Sequence, residues 1–187
     1  MERREFIRTL CSGGLCSCVL GVSTLHASGD EPAAKAGAED WRLPFAQERY
    51  ARLLALMGAK LSPAEQTEVL EDLGRYCASR SGMADKFKGN PEGFVDELRR
   101  RWQAEVSYER GRGRVEIAFP PSGECACPLL RKGLAPGTAC DCSAGWQKQA
   151  FEEVFGRPVA VRIVSTVLRG GDRCQFSVML ADLSVVS

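Results

Sequence analysis

VAVRIVSTVLRGGDRCQFSVMLADL, residues 159–183, reads as two strands and the turn between them. Two apolar runs, Val159 to Leu168 and Cys174 to Leu183, are joined at Gly170-Gly171-Asp172. Apolar, largely β-branched runs broken by a glycine turn predict two strands that pair antiparallel. Further upstream, Glu105 to Pro120 places Val106 and Tyr108, then Val115, Ile117 and Phe119, in alternation on either side of Gly111-Arg112-Gly113, which predicts a β-hairpin. Between the two pairs lie a loop holding four cysteines and a helix from about Ser143 to Phe155, closed by Gly156-Arg157-Pro158.

The N-terminal half reads as helical. From Pro44 to Met57, Phe45, Tyr50, Leu53, Leu54 and Met57 recur at steps that predict a helix with one buried face, ending at Gly58. Ser62-Pro63-Ala64-Glu65 is a capping box with proline at the first helical position, and it opens a second helix through Val69, Leu70, Leu73, Tyr76 and Cys77. Ser79 to Asn90 is a polar linker. Pro91 starts a third helix through Phe94, Val95, Leu98 and Trp102. The expected fold class is therefore α+β, with N-terminal helices packed on a small antiparallel sheet of about four strands. Residues 43–187 form one domain, helical over 43–104 and carrying the cysteines and the sheet over 105–187.

The chain opens Met-Glu-Arg-Arg-Glu-Phe-Ile-Arg, so that Arg3, Arg4 and Phe6 fit a twin-arginine export signal. Leu10 to Leu25 is apolar but diluted by glycine and hydroxyl residues, too short and too weakly hydrophobic for a permanent membrane anchor. Cleavage is expected after Ala27, with residues 28–42 a flexible linker. A lipid anchor on Cys18 is the alternative. The expected location is periplasmic or otherwise exported, with the twin-arginine translocase as a transient partner.

The whole chain carries 25 basic and 24 acidic residues. The leader would remove Arg3, Arg4 and Arg8 with Glu2 and Glu5, leaving the two signs equal. A neutral domain has no electrostatic footprint for nucleic acid. His26, the one histidine, leaves with the leader. Within one cleaved chain no Ser-His-Asp or Cys-His arrangement and no histidine-containing zinc site can then form.

Six cysteines remain beyond residue 27: Cys77, the pair Cys125 and Cys127, the pair Cys140 and Cys142, and Cys174. In an extended segment alternate residues point to one side, so each Cys-x-Cys pair can present two thiolates to one point, or one to the core and one outward if the segment kinks. Cys125, Cys127, Cys140, Cys142 and Cys174 are thus candidate ligands for zinc or an iron–sulfur cluster. Two or three disulfides are the competing reading, which an even cysteine count in an exported protein suits, and reduced or mixed cysteines are the third. Cys77 reads as core filling. Trp146, Phe151 and Phe155 either line an apolar ligand pocket or pack as core. Glu124 and Asp141 either serve a metal-bound water as general bases or are solvated loop carboxylates.

The segments Cys140-Asp-Cys-Ser-Ala-Gly145-Trp146, Phe155-Gly156-Arg157-Pro158 and Gly170-Gly171-Asp172-Arg173-Cys174-Gln175-Phe176 resemble the C-terminal half of the 4-vinyl reductase domain family. That resemblance implies a small-molecule binder with a cysteine-rich zinc site beside its pocket. Carried over by position, Cys140 and Cys174 fall on two of the sensor-type metal ligands, whereas the other two positions are Ile163 and Thr166 here. Either Cys142 and the Cys125/Cys127 pair replace the missing ligands, or the site has become a disulfide. Phe119 to Leu130 and Gly170 to Phe176 also look like parts of the L-2-amino-thiazoline-4-carboxylic acid hydrolase family.

Three functions follow as expectations. The first is an exported, non-catalytic small-molecule-binding domain with a cysteine-based metal site. The second is a metal-assisted hydrolase with one open coordination position, and the third a disulfide-stabilised binding or structural module. A homodimer is compatible with each.

Overall fold

The computed structural model describes residues 40–181. The twin-arginine motif, the cleavage point at Ala27, Cys18 and nearly all of the expected linker lie outside the described residues. Helix α1 (Arg42–Lys60) starts before the linker was expected to end and runs straight through Gly58. Helix α2 (Pro63–Ser81) is opened by the capping box: Ser62 Oγ accepts from the Glu65 N–H, and the Glu65 carboxylate accepts from the Ser62 N–H at 2.8 Å. Helix α3 (Pro91–Trp102) begins at an Asn90 cap that accepts from Gly93 N–H at 3.0 Å. Helix α4 (Cys140–Phe155) follows a 3-10 turn over Gly137–Ala139. None of the described helices is long and apolar enough to cross a membrane.

The sheet contains β1 (Glu105–Glu109), β2 (Arg114–Ala118), β3 (Val159–Ser165) and β4 (Gln175–Leu180) in the spatial order β1-β2-β4-β3, all neighbours antiparallel. Tyr108 pairs with Val115 in the first hairpin, and Val161 with Val178 in the second. The hairpins join through β2 and β4, where Val115 faces Val178 and Ile117 faces Phe176. Because side chains alternate across a strand, these residues share one face. Val115, Ile117 and Val178 meet Phe94, Val95 and Leu98 of α3 and Ala150, Phe151 and Val154 of α4 in the main core.

Packing of α2 departs from the apolar pattern. Leu70 is buried, but Val69, Leu73 and Tyr76 are exposed at 48%, 37% and 63%. The buried stripe is Gln66, Leu70, Gly74 and Ala78, at the four-residue step that brings side chains to one helix face. This stripe meets α4 backbone to backbone. A Cβ on Gly74 would stand 1.9 Å from the Cys142 carbonyl oxygen, and one on Gly145 would stand 2.0 Å from that of Glu71. Close approach of two helices needs small residues at the crossing, and this need overrides the larger side chains one step round α2. Arg75 and Glu152 join the same two helices by an ion pair of 2.6 Å.

A second, smaller cluster anchors the cysteine loop. Leu54 of α1, Leu70 of α2, Leu130 and Ala139 are its buried members, with Tyr50, Met57, Cys125, Cys127 and Cys142 packed against them. Gln47 adds a hydrogen bond to the Pro128 carbonyl at 2.8 Å. The long irregular segment 119–136 is thereby fixed over one end of the sheet.

Candidate functional site: an apolar cavity ringed by thiols

Between α4, the start of β4 and the cysteine loop lies an apolar cavity of about 590 Å³. That volume falls within the range of small-molecule sites. Its aromatic wall is a continuous chain of rings. Trp146 of α4 meets Trp102 of α3 edge-on at 5.3 Å, Trp102 lies 5.7 Å from Phe119, and Phe119 lies 6.2 Å from Phe176 of β4. Leu130 and Val167 add aliphatic surface, while Pro120, Pro121, Ser122 and Glu124 come from the exposed stretch after β2.

Five cysteines share the wall: Cys77 of α2, Cys125 and Cys127 of the loop, Cys142 of α4, and Cys174 just before β4. Four of them are among the five expected metal ligands. Cys140, the fifth, is buried outside the wall, and its thiol donates to Thr166 Oγ1 at 3.1 Å. Cys77, expected in the core, is instead exposed and contributes to the cavity. It sits one residue before Ala78 of the buried stripe, about 100° round α2 from it.

Cys140 and Cys142 are not in an extended segment: both belong to the first turn of α4. Side chains two apart on a helix diverge by about 200°. One thiol therefore enters the core beside Thr166 while the other faces the cavity. All six described cysteines are free thiols. Among the described residues no group of three or more histidine, cysteine, aspartate or glutamate side chains could hold a metal ion. As described, the cysteines around the cavity are not gathered into a three- or four-ligand set.

The cavity keeps several thiols protonated. Burial, reinforced by neighbouring cysteines, pushes Cys142 up to about 12. Burial also raises Cys125 and Cys140, the latter despite its hydrogen bond to Thr166. Tyr50, beneath the loop, is raised to about 12, first by burial and then by Cys142, Cys127 and Cys77. A thiol, not a thiolate, is a weak nucleophile and a weak ligand.

Of the three aromatic side chains expected at a pocket, Trp146 lines the cavity. Phe151 is fully buried in the main core, edge-on to Phe94 at 5.1 Å, and Phe155 stacks on it from the core side. Asp141 is held by Arg169 at 2.8 Å and by Thr67 at 3.2 Å, so it ties α4 to its surroundings. Glu124 is exposed on the cavity rim.

Trp102, Phe119, Phe176 and Gln147 were not foreseen as site residues. The first three are scattered over 75 positions and only the folded sheet gathers them. Gln147 did leave a trace, being the polar member of the buried α4 stripe Ala144, Gln147, Phe151 and Val154.

A four-helix, four-stranded α+β domain with an apolar cavity beside its last hairpin is thus the class this chain represents. A family model matches residues 90–185, and the chain belongs to that family, which is described as one of unknown function (DUF6144). The fold is that of a trafficking protein particle complex subunit 3 from Naegleria fowleri, solved covalently bound to palmitic acid. The likeness has a TM-score of 0.50 at 16% identity and covers 77% of this chain and 98% of that one. A vinyl-4-reductase family protein from Methanocaldococcus jannaschii is similar at a TM-score of 0.40 and 16% identity, over 78% of this chain and 85% of that one. The phenol-responsive sensory domain of the transcription activator PoxR, solved with phenol, is similar at 0.48 and 14% identity, over 72% and 74%. These last two likenesses are too weak to carry an argument. No curated protein matches the chain.

Proposed function

We propose that this protein is a non-catalytic binding domain for a small, uncharged, apolar molecule held in the thiol-ringed cavity. The observation that carries this reading is the cavity itself, about 590 Å³ walled by Trp102, Phe119, Trp146 and Phe176. No lysine, arginine or histidine is among its lining residues, and Glu124 is the one carboxylate. A fatty-acid carboxylate or a phosphate would find no counter-charge there, and burying an unpaired charge is costly. With Cys125, Cys140 and Cys142 raised by burial, nucleophilic catalysis has no activated thiol among these three. Residues 1–27, read as a twin-arginine leader, would deliver the domain outside the cytoplasm. N-terminal sequencing of exported protein should then begin at Ser28.

The test is tryptophan quenching in the W41F variant. Trp41 is 65% exposed, and the other two tryptophans, Trp102 and Trp146, both line the cavity. Nile red should quench their emission saturably, with about one dye per chain, and raise Tm. Absence of saturable quenching in folded protein would sink the reading.

A further inference from the structure

Helix α1 is 19 residues long and buries only Ala51 and Leu54, whereas the 16 residues of α4 bury seven. A helix of this length is marginal in water by itself and draws most of its stability from packing one face. The outer side of α1 is nevertheless apolar. Phe45, Leu53 and Leu56 stand exposed at helical spacing, and on α2 Val69, Leu73 and Tyr76 form a second exposed stripe beside the buried one. Of the eleven large apolar side chains exposed among the described residues, eight lie on α1, its N-cap and α2. Trp41, Phe45 and Tyr76 alone expose roughly 300 Å².

The charges around the two stripes differ in sign. Arg42, Arg49, Arg52 and Lys60 are exposed on α1 against the single Glu48, while Glu65, Glu68 and Asp72 are exposed on α2, with Arg80 beyond them at its far end. None of Arg49, Arg52, Glu68 and Asp72 joins an ion pair among the described residues. Arg49 finds only the Phe45 ring, at 5.6 Å.

We propose that α1 and α2 form the interface of a two-fold homodimer, in which the basic apolar stripe of each α1 packs on the acidic apolar stripe of α2 in the second copy. A two-fold axis brings the same patch of both copies together, and a patch holding both signs complements itself when unlike helices meet. A standard interface takes about 800 Å² from each partner, and the five exposed aliphatic side chains and the stems of the flanking charges add to the aromatic area. An anionic membrane would attract α1 but repel Glu65, Glu68 and Asp72 beside the α2 stripe, so a second copy fits this surface better than lipid. The inference is independent of what the cavity holds.

The experiment is sedimentation velocity on the full chain at micromolar concentration. The parent should run at twice the mass of one chain. Leu53 and Val69 are 52% and 48% exposed, so Leu53→Glu and Val69→Glu leave the core untouched, and each should weaken the dimer at least about tenfold. Charge reversal tests the contact between unlike helices. Arg49→Glu/Arg52→Glu makes both stripes acidic and Glu68→Lys/Asp72→Lys makes both basic. Each alone should be monomeric, and an equimolar mixture should regain a dimer, which unfolded chains would not do.

A monomeric parent overturns the proposal. So does a dimer indifferent to both glutamate substitutions, which would use another face, or a pair of charge-reversed proteins that stay monomeric when mixed. A monomer that sediments with phosphatidylglycerol vesicles would show the α1 stripe docking on lipid and would overturn it as well.

Discussion

A thiol titrating near 12 is almost wholly protonated at neutral pH, and Cys142 is such a thiol because burial among other cysteines penalises its anion. At pH 8 only about one molecule in ten thousand would carry the Cys142 thiolate. Iodoacetamide should therefore label Cys142 at least about 100-fold more slowly than glutathione, and urea should abolish the protection. Peptide mass spectrometry of timed samples measures this, and rapid labelling would mean a stabilised thiolate and bring nucleophilic or metal chemistry back. Gly145 makes an equally local prediction. A Cβ there meets Glu71 O at 2.0 Å, against open space at Gly111. Gly145→Ala should cost at least about 3 kcal/mol in urea unfolding, and Gly111→Ala within about 0.5 kcal/mol of zero. Neither effect is visible from residue type alone, since glycine in mid-helix reads only as a weak helix former until its neighbour is known.

At the scale of elements, α2 and α4 are held by the glycine crossing, by Lys148 to Glu71 at 2.5 Å, and by Arg75 to Glu152 at 2.6 Å. Burial acts to raise Glu152. Hydrogen bonds from Arg75 and the Val159 N–H and the charges of Arg75 and Lys148 outweigh it, so its carboxyl sits below the usual value of 4.5. A carboxylate depressed in the folded state stabilises the fold above its unfolded pKa, and the gain is lost as pH falls through the folded value. The urea midpoint should thus drop on acidification from about pH 5 to about pH 3, and Glu152→Gln should lower it at neutral pH and flatten that drop. The sequence foretold the elements themselves more clearly than their faces. Alternation and turn glycines gave both hairpins, and Ser62-Pro63-Ala64-Glu65 gave the start of α2, because these signals are local. The buried face of α2 was misread, since Val69, Leu73 and Tyr76 outweigh Gly74 and Ala78 in apolar weight. The start of α4 falls at Cys140, three residues before the expected Ser143, and this helical start selects the split arrangement of Cys140 and Cys142 over two ligands on one side.

For the molecule as a whole, five thiols around one cavity raise the question of what they are for. Cysteine proximity was legible, because five of the six crowd into the last third of the chain. Their division of labour was not, because it depends on where α4 begins and on how Leu130 pins the loop against Leu54 and Leu70. No group of three or more ligands forms among the described residues, so a metal centre would need the loop that Leu130 pins to shift. Burying apolar surface is worth about 25 cal/mol per Å², so stripping Leu130 alone would cost on the order of 2 kcal/mol. A structural zinc could meet such a cost, since its binding free energy is several times larger. The resting fold is therefore expected to survive without metal, whereas a metal-built site would collapse when stripped. Full-length protein should give well under one zinc or iron per chain by elemental analysis, and excess chelator should leave Tm unchanged. About one metal per chain, four cysteines protected from alkylation and a Tm that falls steeply on chelation would instead show a rearranged, metal-bound loop. In that event the cavity now open between α4 and β4 would be a metal site in its unassembled form rather than a ligand pocket.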